Sequence, residues 1–254
     1  MRQIARLAIP AFVILAAEPL YVLVDTAVVG HLGSQALAAL AVGGTILTLV
    51  AWLGTVLAYG TTGRSARRFG AGDRAAAITE GVQASWLALS AGVFVAIAAQ
   101  FAADPLARAL LGSSGDEVAA SAAQWLRVAA LGAPGLMLAT AGNGWLRGIQ
   151  DTRRPLSYVV GAFALSAALC PLFVYTFGLG LVGSAIANAV AQTLAGLLFV
   201  RALVLEHVDL RPRLAVMRDQ LVVGRDLILR GLAFQACFLS ATAVVGRFSV
   251  TALA

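Results

Sequence analysis

The chain reads as an all-α integral membrane protein, a polytopic helix bundle, and three observations predict that class. Of its 254 residues, 60% are apolar and only 12% charged, with a mean hydropathy of +0.89; soluble chains carry about 45–50% and about 25%. The apolar surplus recurs in seven runs, near residues 7–29, 37–60, 82–102, 121–143, 157–177, 181–203 and 228–248. Between the runs, basic residues crowd every second connection. A water-soluble enzyme, a disordered chain and a disulfide-stapled secreted module are excluded. Cys170 and Cys237 both sit in apolar runs, so no disulfide framework is signalled.

Each run matches the roughly 20 residues a helix needs to cross a hydrocarbon core, and exceeds the 9–11 of a barrel strand. The first run is too long for a secretory h-region and no small-residue cleavage site closes it, so it is a retained first helix. Gly, Ala, Ser and Thr are scattered through all seven, which suits helices that must pack closely where lipid supplies no hydrophobic drive. The loops set orientation. All 18 basic residues are Arg. Fifteen of them (2, 6, 64, 67, 68, 74, 147, 153, 154, 201, 211, 213, 218, 225 and 230) fall on one side, and only Arg108, Arg127 and Arg247 on the other. The positive-inside bias places the amino terminus and the connection 204–227 in the cytoplasm. The same alternation argues against reading the pI of 10.3 as nucleic-acid binding.

The chain begins to repeat. TAVVGHLGSQALA at 26–38 aligns without gaps with TAVVGRFSVTALA at 242–254, eight of thirteen positions being identical at a shift of 216 residues. The shift passes over six crossings, an even number, so the first and seventh helices point the same way, as in a parallel repeat. The expected organisation is a six-helix bundle over 1–203, a cytoplasmic link over 204–227, and the first helix of a second bundle over 228–254. A twelve-helix protein would complete it.

Ionisable groups inside spans are costly and normally face a bundle interior or aqueous cavity. The first run holds two, Glu18 and Asp25, with Tyr21 between them and Pro10 and Pro19 as helix-bending candidates. A buried Asp is suited to accept a proton, or to bind a hard cation such as Na⁺ beside neutral oxygens; a static buried hydrogen bond is the plain alternative. Glu18 reads as a vestibule residue. Other candidates are neutral: Asn143 in the fourth run, Ser166 and Cys170 one turn apart in the fifth, Asn188 and Gln192 one turn apart in the sixth. Packing between helices competes with a site role for each of these. Enzyme signatures are missing: GSSG at 112–115 and GAG at 70–72 lack strand–helix context, and His31 and His207 have no metal-site partners in sequence.

EPLYVLVDTAVVGHLGSQALAALAVG at 18–43, ARRFGAGDR at 66–74, LRGIQDTRRPL at 146–156 and GLGLVGSAIANAVAQ at 178–192 resemble the multidrug and toxic compound extrusion (MATE) transporters, in their DNA-damage-inducible (DinF-like) branch. The resemblance implies a MATE/MOP-type fold of two six-helix bundles around a cleft. It also implies an antiporter that exports cationic or amphipathic drugs and toxic metabolites in exchange for H⁺ or Na⁺. On it, Asp25 matches the coupling carboxylate, Asn143 a polar residue of the fourth helix, Asn188 a position that often holds Thr, and Pro10 a proline linked to bending. Glu18, Tyr21, Ser166, Cys170 and Gln192 are then candidate cavity residues. Where relatives carry an Asn and an Asp in the fifth helix, this chain has Ser166 and Cys170, leaving Asp25 as the one placed acid. The resemblance further implies a monomer at full length in a bacterial inner membrane, in contact with lipid, with no cofactor and no nucleic acid. A lipid-linked saccharide flippase of the same superfamily is one alternative, and a non-transporting seven-helix protein or inactive fragment another.

Overall fold

The computed structural model describes residues 2–111 and 115–248. Residues 249–254, the end of the second repeat copy, lie outside the described residues, as do the side chains of Pro10 and Glu18. Eight α-helices follow one another among the described residues: α1 (Arg2–Gly30), α2 (Ser34–Gly70), α3 (Arg74–Leu111), α4 (Asp116–Ala129), α5 (Ala133–Gly148), α6 (Arg153–Pro171), α7 (Gly180–Val204) and α8 (Leu214–Phe248). The molecule is a multi-pass membrane helical bundle. Ser34–Gly70, Arg74–Leu111, Arg153–Thr176 and Gly180–Val204 are each long and apolar enough to cross a membrane unaided.

Three features go beyond the sequence reading. First, the run at 121–143 is two helices, α4 and α5, joined by a 3₁₀ turn at Ala130–Gly132. Pro134 has no N–H to offer the Ala130 carbonyl one helical turn back. The Ala133 N–H takes that carbonyl in a tighter bond instead, and the helix axis breaks there. Second, α1 runs as one helix through Pro10 and Pro19. A proline removes one bond of the ladder, and the bonds on either side carry the helix past it. Third, α8 begins at Leu214, so much of the stretch 204–227 is helical rather than a loop.

The helix ends follow local chemistry. Arg67 and Arg68 lie in the last turn of α2, where a positive charge offsets the negative end of the helix dipole. Asp116 and Glu117 serve the opposite end in the first turn of α4. Gly72, at φ +83°, makes the reversal between α2 and α3 in a region that other residues avoid.

α5 is the central helix, packed against α2, α3 and α7. Its glycines let backbones touch. A Cβ on Gly135 would stand 2.4 Å from the Gln192 carbonyl oxygen, and one on Gly196 would stand 2.7 Å from the Gly135 Cα. Other Phe and Leu side chains point outward: Phe94, Phe101, Leu49 and Leu197 are exposed, Phe101 by 79%. A small-residue interior beneath a coat of Phe and Leu is the arrangement lipid favours.

Ion pairs mark the two ends of the bundle. At one, Glu206 after α7 meets Arg74 of α3 at 2.6 Å and Arg154 of α6 at 2.9 Å. At the other, Asp104 of α3 pairs with Arg127 of α4. Arg74, Arg154 and Glu206 thus gather at one end, and Asp104 and Arg127 at the other.

Candidate functional site

α1, α6 and α7 meet around Asp25. The α1–α6 and α6–α7 packing brings the Ser166 and Cys170 face of α6 onto α1, and Asn188 of α7 against Tyr21. Asp25 is 5% exposed, and its Oδ1 accepts a hydrogen bond from the Cys170 thiol, Sγ to Oδ1 being 3.0 Å. No ion pair to Asp25 exists among the described residues. One turn before it on the same face, Tyr21 stacks on Phe163 of α6 with ring centroids 5.5 Å apart. The Tyr21 hydroxyl accepts from Asn188 Nδ2 at 3.0 Å.

The cluster leaves polar atoms unpaired. Ser166 Oγ and Asn188 Oδ1 are buried without hydrogen-bond partners. Buried polar groups left in this way are costly unless something else satisfies them. Cys170, Val174 and Ala187, with Val28, Leu169 and Phe173 against them, form an apolar layer beside the acid. Past it, the Tyr175 hydroxyl donates to the Val28 carbonyl at 2.6 Å. Ala27, Val28, His31 and Tyr175 line a shallow depression there.

The turn that presents Cys170 is not regular helix. Pro171 cannot donate to the carbonyl of residue 167, and the chain widens into a π turn at Leu172–Thr176, closed by Phe177 N–H on the Leu172 carbonyl at 3.1 Å.

Of the residues singled out in the sequence, Asp25, Tyr21, Ser166, Cys170 and Asn188 are brought together. Asn143 is not. Its neighbour Gly142 packs on Phe199, eleven residues along α7 from Asn188, about 16 Å at the helical rise. Asn143 Oδ1 has no partner there. The Gln192 backbone lies against Gly135, and its side chain makes no hydrogen bond among the described residues. Pro19 is exposed on α1. Sequence reasoning missed Phe163, Tyr175 and the π turn; the Cys170–Pro171 step was the available signal for the last.

It also missed a second polar cluster at the arginine-rich end. Glu80 of α3 is 4% exposed and held by Arg64 of α2 through two bonds, 2.8 and 3.1 Å. Beside it, Gln83 Nε2 donates to the Arg211 carbonyl at 3.0 Å, and Gln83 Oε1 accepts from the Arg213 N–H at 2.6 Å. Trp86 Nε1 donates to the Leu210 carbonyl at 2.8 Å. These bonds strap the stretch 210–213 along α3. Just before that stretch, hydrogen bonding from Arg74, with Arg154 second, holds the Glu206 carboxyl below the usual glutamate range.

Bundle and buried acid together define the class: a polytopic α-helical membrane protein carrying the first unit of an internal repeat and the start of the next. The chain belongs to the MatE family, whose model matches residues 10–172, and its likeness is to the MATE/DinF-like members. It is 33% identical over 269 residues to Protein DETOXIFICATION 44, chloroplastic, of Arabidopsis thaliana, a match covering 99% of this chain and 51% of that protein. To DNA damage-inducible protein F of Escherichia coli (strain K12) it is 33% identical over 238 residues, covering 90% and 51%. A crystal structure of MATE in the bent conformation superposes with a TM-score of 0.84 at 30% identity, over 95% of this chain and 55% of that one. The chain spans about half the length of the curated relatives it matches. The family is one of membrane transporters and not of enzymes.

Proposed function

We propose that the protein works as a secondary antiporter that exports cationic or amphipathic drugs and toxic metabolites in exchange for H⁺ or Na⁺, with Asp25 as the coupling group. One observation carries the reading. Among the described residues, a carboxylate buried among three helices has no cationic partner and one thiol donor, and it sits beside two unsatisfied polar atoms. Burying a charge on those terms is unfavourable unless a cation arrives to neutralise it. A proton on Asp25, or Na⁺ held by Asp25 with the Ser166 and Asn188 oxygens, supplies that cation. The ion drives transport only by binding the two bundle arrangements with different affinity.

Asp25 and Asn188 form the coupling set in this reading, with Tyr21, Ser166 and Cys170 lining it. Glu18 and Gln192 are cavity residues of the same bundle, and Asn143 serves farther toward the arginine-rich end. Pro10 and Pro19 are where α1 yields. The six-helix bundle over 1–203, the link over 204–227 and the helix over 228–254 act as one bundle, a connector and the start of its counterpart. The arginine-rich end faces the cytoplasm of a bacterial inner membrane, and the full-length protein is a monomer. Cationic cargo is favoured over a lipid-linked saccharide because no arginine falls mid-span in the six-helix bundle.

Vesicles containing the full-length protein, loaded with a fluorescent cationic dye and given imposed proton or Na⁺ gradients, test the proposal. Asp25→Asn should abolish gradient-driven dye movement with the protein still in the membrane. Unchanged transport in that variant would falsify the role of Asp25.

A further inference from the structure

The cluster around Glu80 does something the antiport cycle has not used. Gln220, in the second turn of α8, reaches across to α3: its Nε2 donates to the Glu80 carbonyl at 2.9 Å and to Glu80 Oε2 at 2.9 Å. Gln220 is 5% exposed. Asp219 next to it stands 3.9 Å from Arg64, and Arg68 stands 3.9 Å from Glu80 Oε1. Farther along, Leu227 and Val223 of α8 lie over Gly60 of α2, and Gly231 lies over Trp52. α8 runs without a break from the link at 204–227 into the first helix of the second unit, so this contact at the arginine-rich end ties that helix to the first unit.

The contact divides its charges unequally. The Glu80 carboxylate is compensated inside the first unit by the bidentate Arg64. Gln220 is neutral. When α8 moves away, Glu80 keeps its partner and no buried charge is stranded, which is what normally makes breaking a buried ion pair prohibitive. Gln220 also keeps one unsatisfied atom, Oε1, while docked, and separation gives that oxygen water. The strap at 210–213, by contrast, is fixed to α3 by three hydrogen bonds, two donated by Gln83 and Trp86 and one accepted by Gln83 from the Arg213 N–H. The strap travels with the first unit, and the pivot falls where α8 begins, at Leu214.

We propose that Glu80, held by Arg64, is the docking point at which Gln220 latches the second unit's first helix and so closes the arginine-rich end of the transport path. The proposal rests on the antiport reading, which supplies the two alternating arrangements. Two different packings separated by a small, reversible polar contact are what such a cycle needs.

Val223→Cys in the full-length protein reports the latch. A membrane-impermeant maleimide is applied from the arginine-rich side, and the rate in the parent without that cysteine is subtracted. Gln220→Leu removes both hydrogen bonds to Glu80 at similar volume and should raise labelling about tenfold, the worth of bonds to a charged acceptor. Gln220→Glu sets a second carboxylate against Glu80 and should raise it further. An unchanged rate in either variant overturns the latch, as does a rise seen only with a lowered thermal transition. The two readings fail separately: dye transport by Asp25→Asn judges coupling, and labelling at residue 223 judges the latch.

Discussion

Cys170 is where the sequence departs from the pattern that its family resemblance implies. A thiol stands where an acid is expected, and it donates to Asp25 rather than competing with it for a cation. Its role is therefore to supply one hydrogen bond to a buried acceptor. Cys170→Ser keeps a donor at the same place and should retain most gradient-driven dye transport. Cys170→Val keeps the volume, removes the donor and should lose most of it, and the thermal transition should fall by the equivalent of about 1–3 kcal/mol for an acceptor left unsatisfied. Equal transport by the two variants would show that the bond is incidental.

Among the elements, α5 carries the packing. It sits between α2, α3 and α7 because its glycines admit neighbouring backbones that no side chain would allow. The neighbour of Gly135 is main chain, the Gln192 carbonyl, so the helices themselves must separate to admit a methyl group. Gly135→Ala and Gly196→Ala should each destabilise the bundle by about 1–3 kcal/mol. Gly161→Ala, with nothing within 4 Å of the added carbon, should not. Thermal unfolding in detergent separates the two groups, and equal shifts at all three positions would contradict the close approach. The breaks in the elements were partly legible. Pro134 and Pro171 carried that signal although the sequence reading ran both spans unbroken, and whether the chain tightens to a 3₁₀ turn or widens to a π turn is decided by the neighbour it must meet. Gly183 of α7 against the Phe173 backbone is one such neighbour.

At the scale of the molecule, the strap and its ion pairs join the last helix of the first unit to the first helix of the next. Glu206 is clamped by Arg74 and Arg154, so its carboxyl titrates below the unfolded glutamate value near 4.3. A depressed value means the clamp stabilises the fold fully above that pH and is lost as pH falls through the lowered value. Acidification below about pH 4.3 should therefore loosen the stretch 204–213, read as faster proteolysis or amide exchange there. Glu206→Gln should be loose already at neutral pH and lose that acid dependence. A strap equally protected at all pH values in both proteins would exclude the clamp.

The amino-acid order alone pointed to a bilayer, to helices that alternate in direction, to a second unit that begins near the end, and to Asp25 as a conspicuous acid within a span. Hydropathy, loop charge and self-similarity are written along the chain, so they need no coordinates. Only the tertiary structure decided which polar residues share a site. It drew Tyr21, Asp25, Ser166, Cys170 and Asn188 together from three helices, left Asn143 some turns away, and set Gln220 against Glu80 across 140 residues. Depth along a crossing and rotation about its axis fix those meetings. Both follow from where proline breaks and glycine contacts seat one helix on another, which spacing within a single helix does not record.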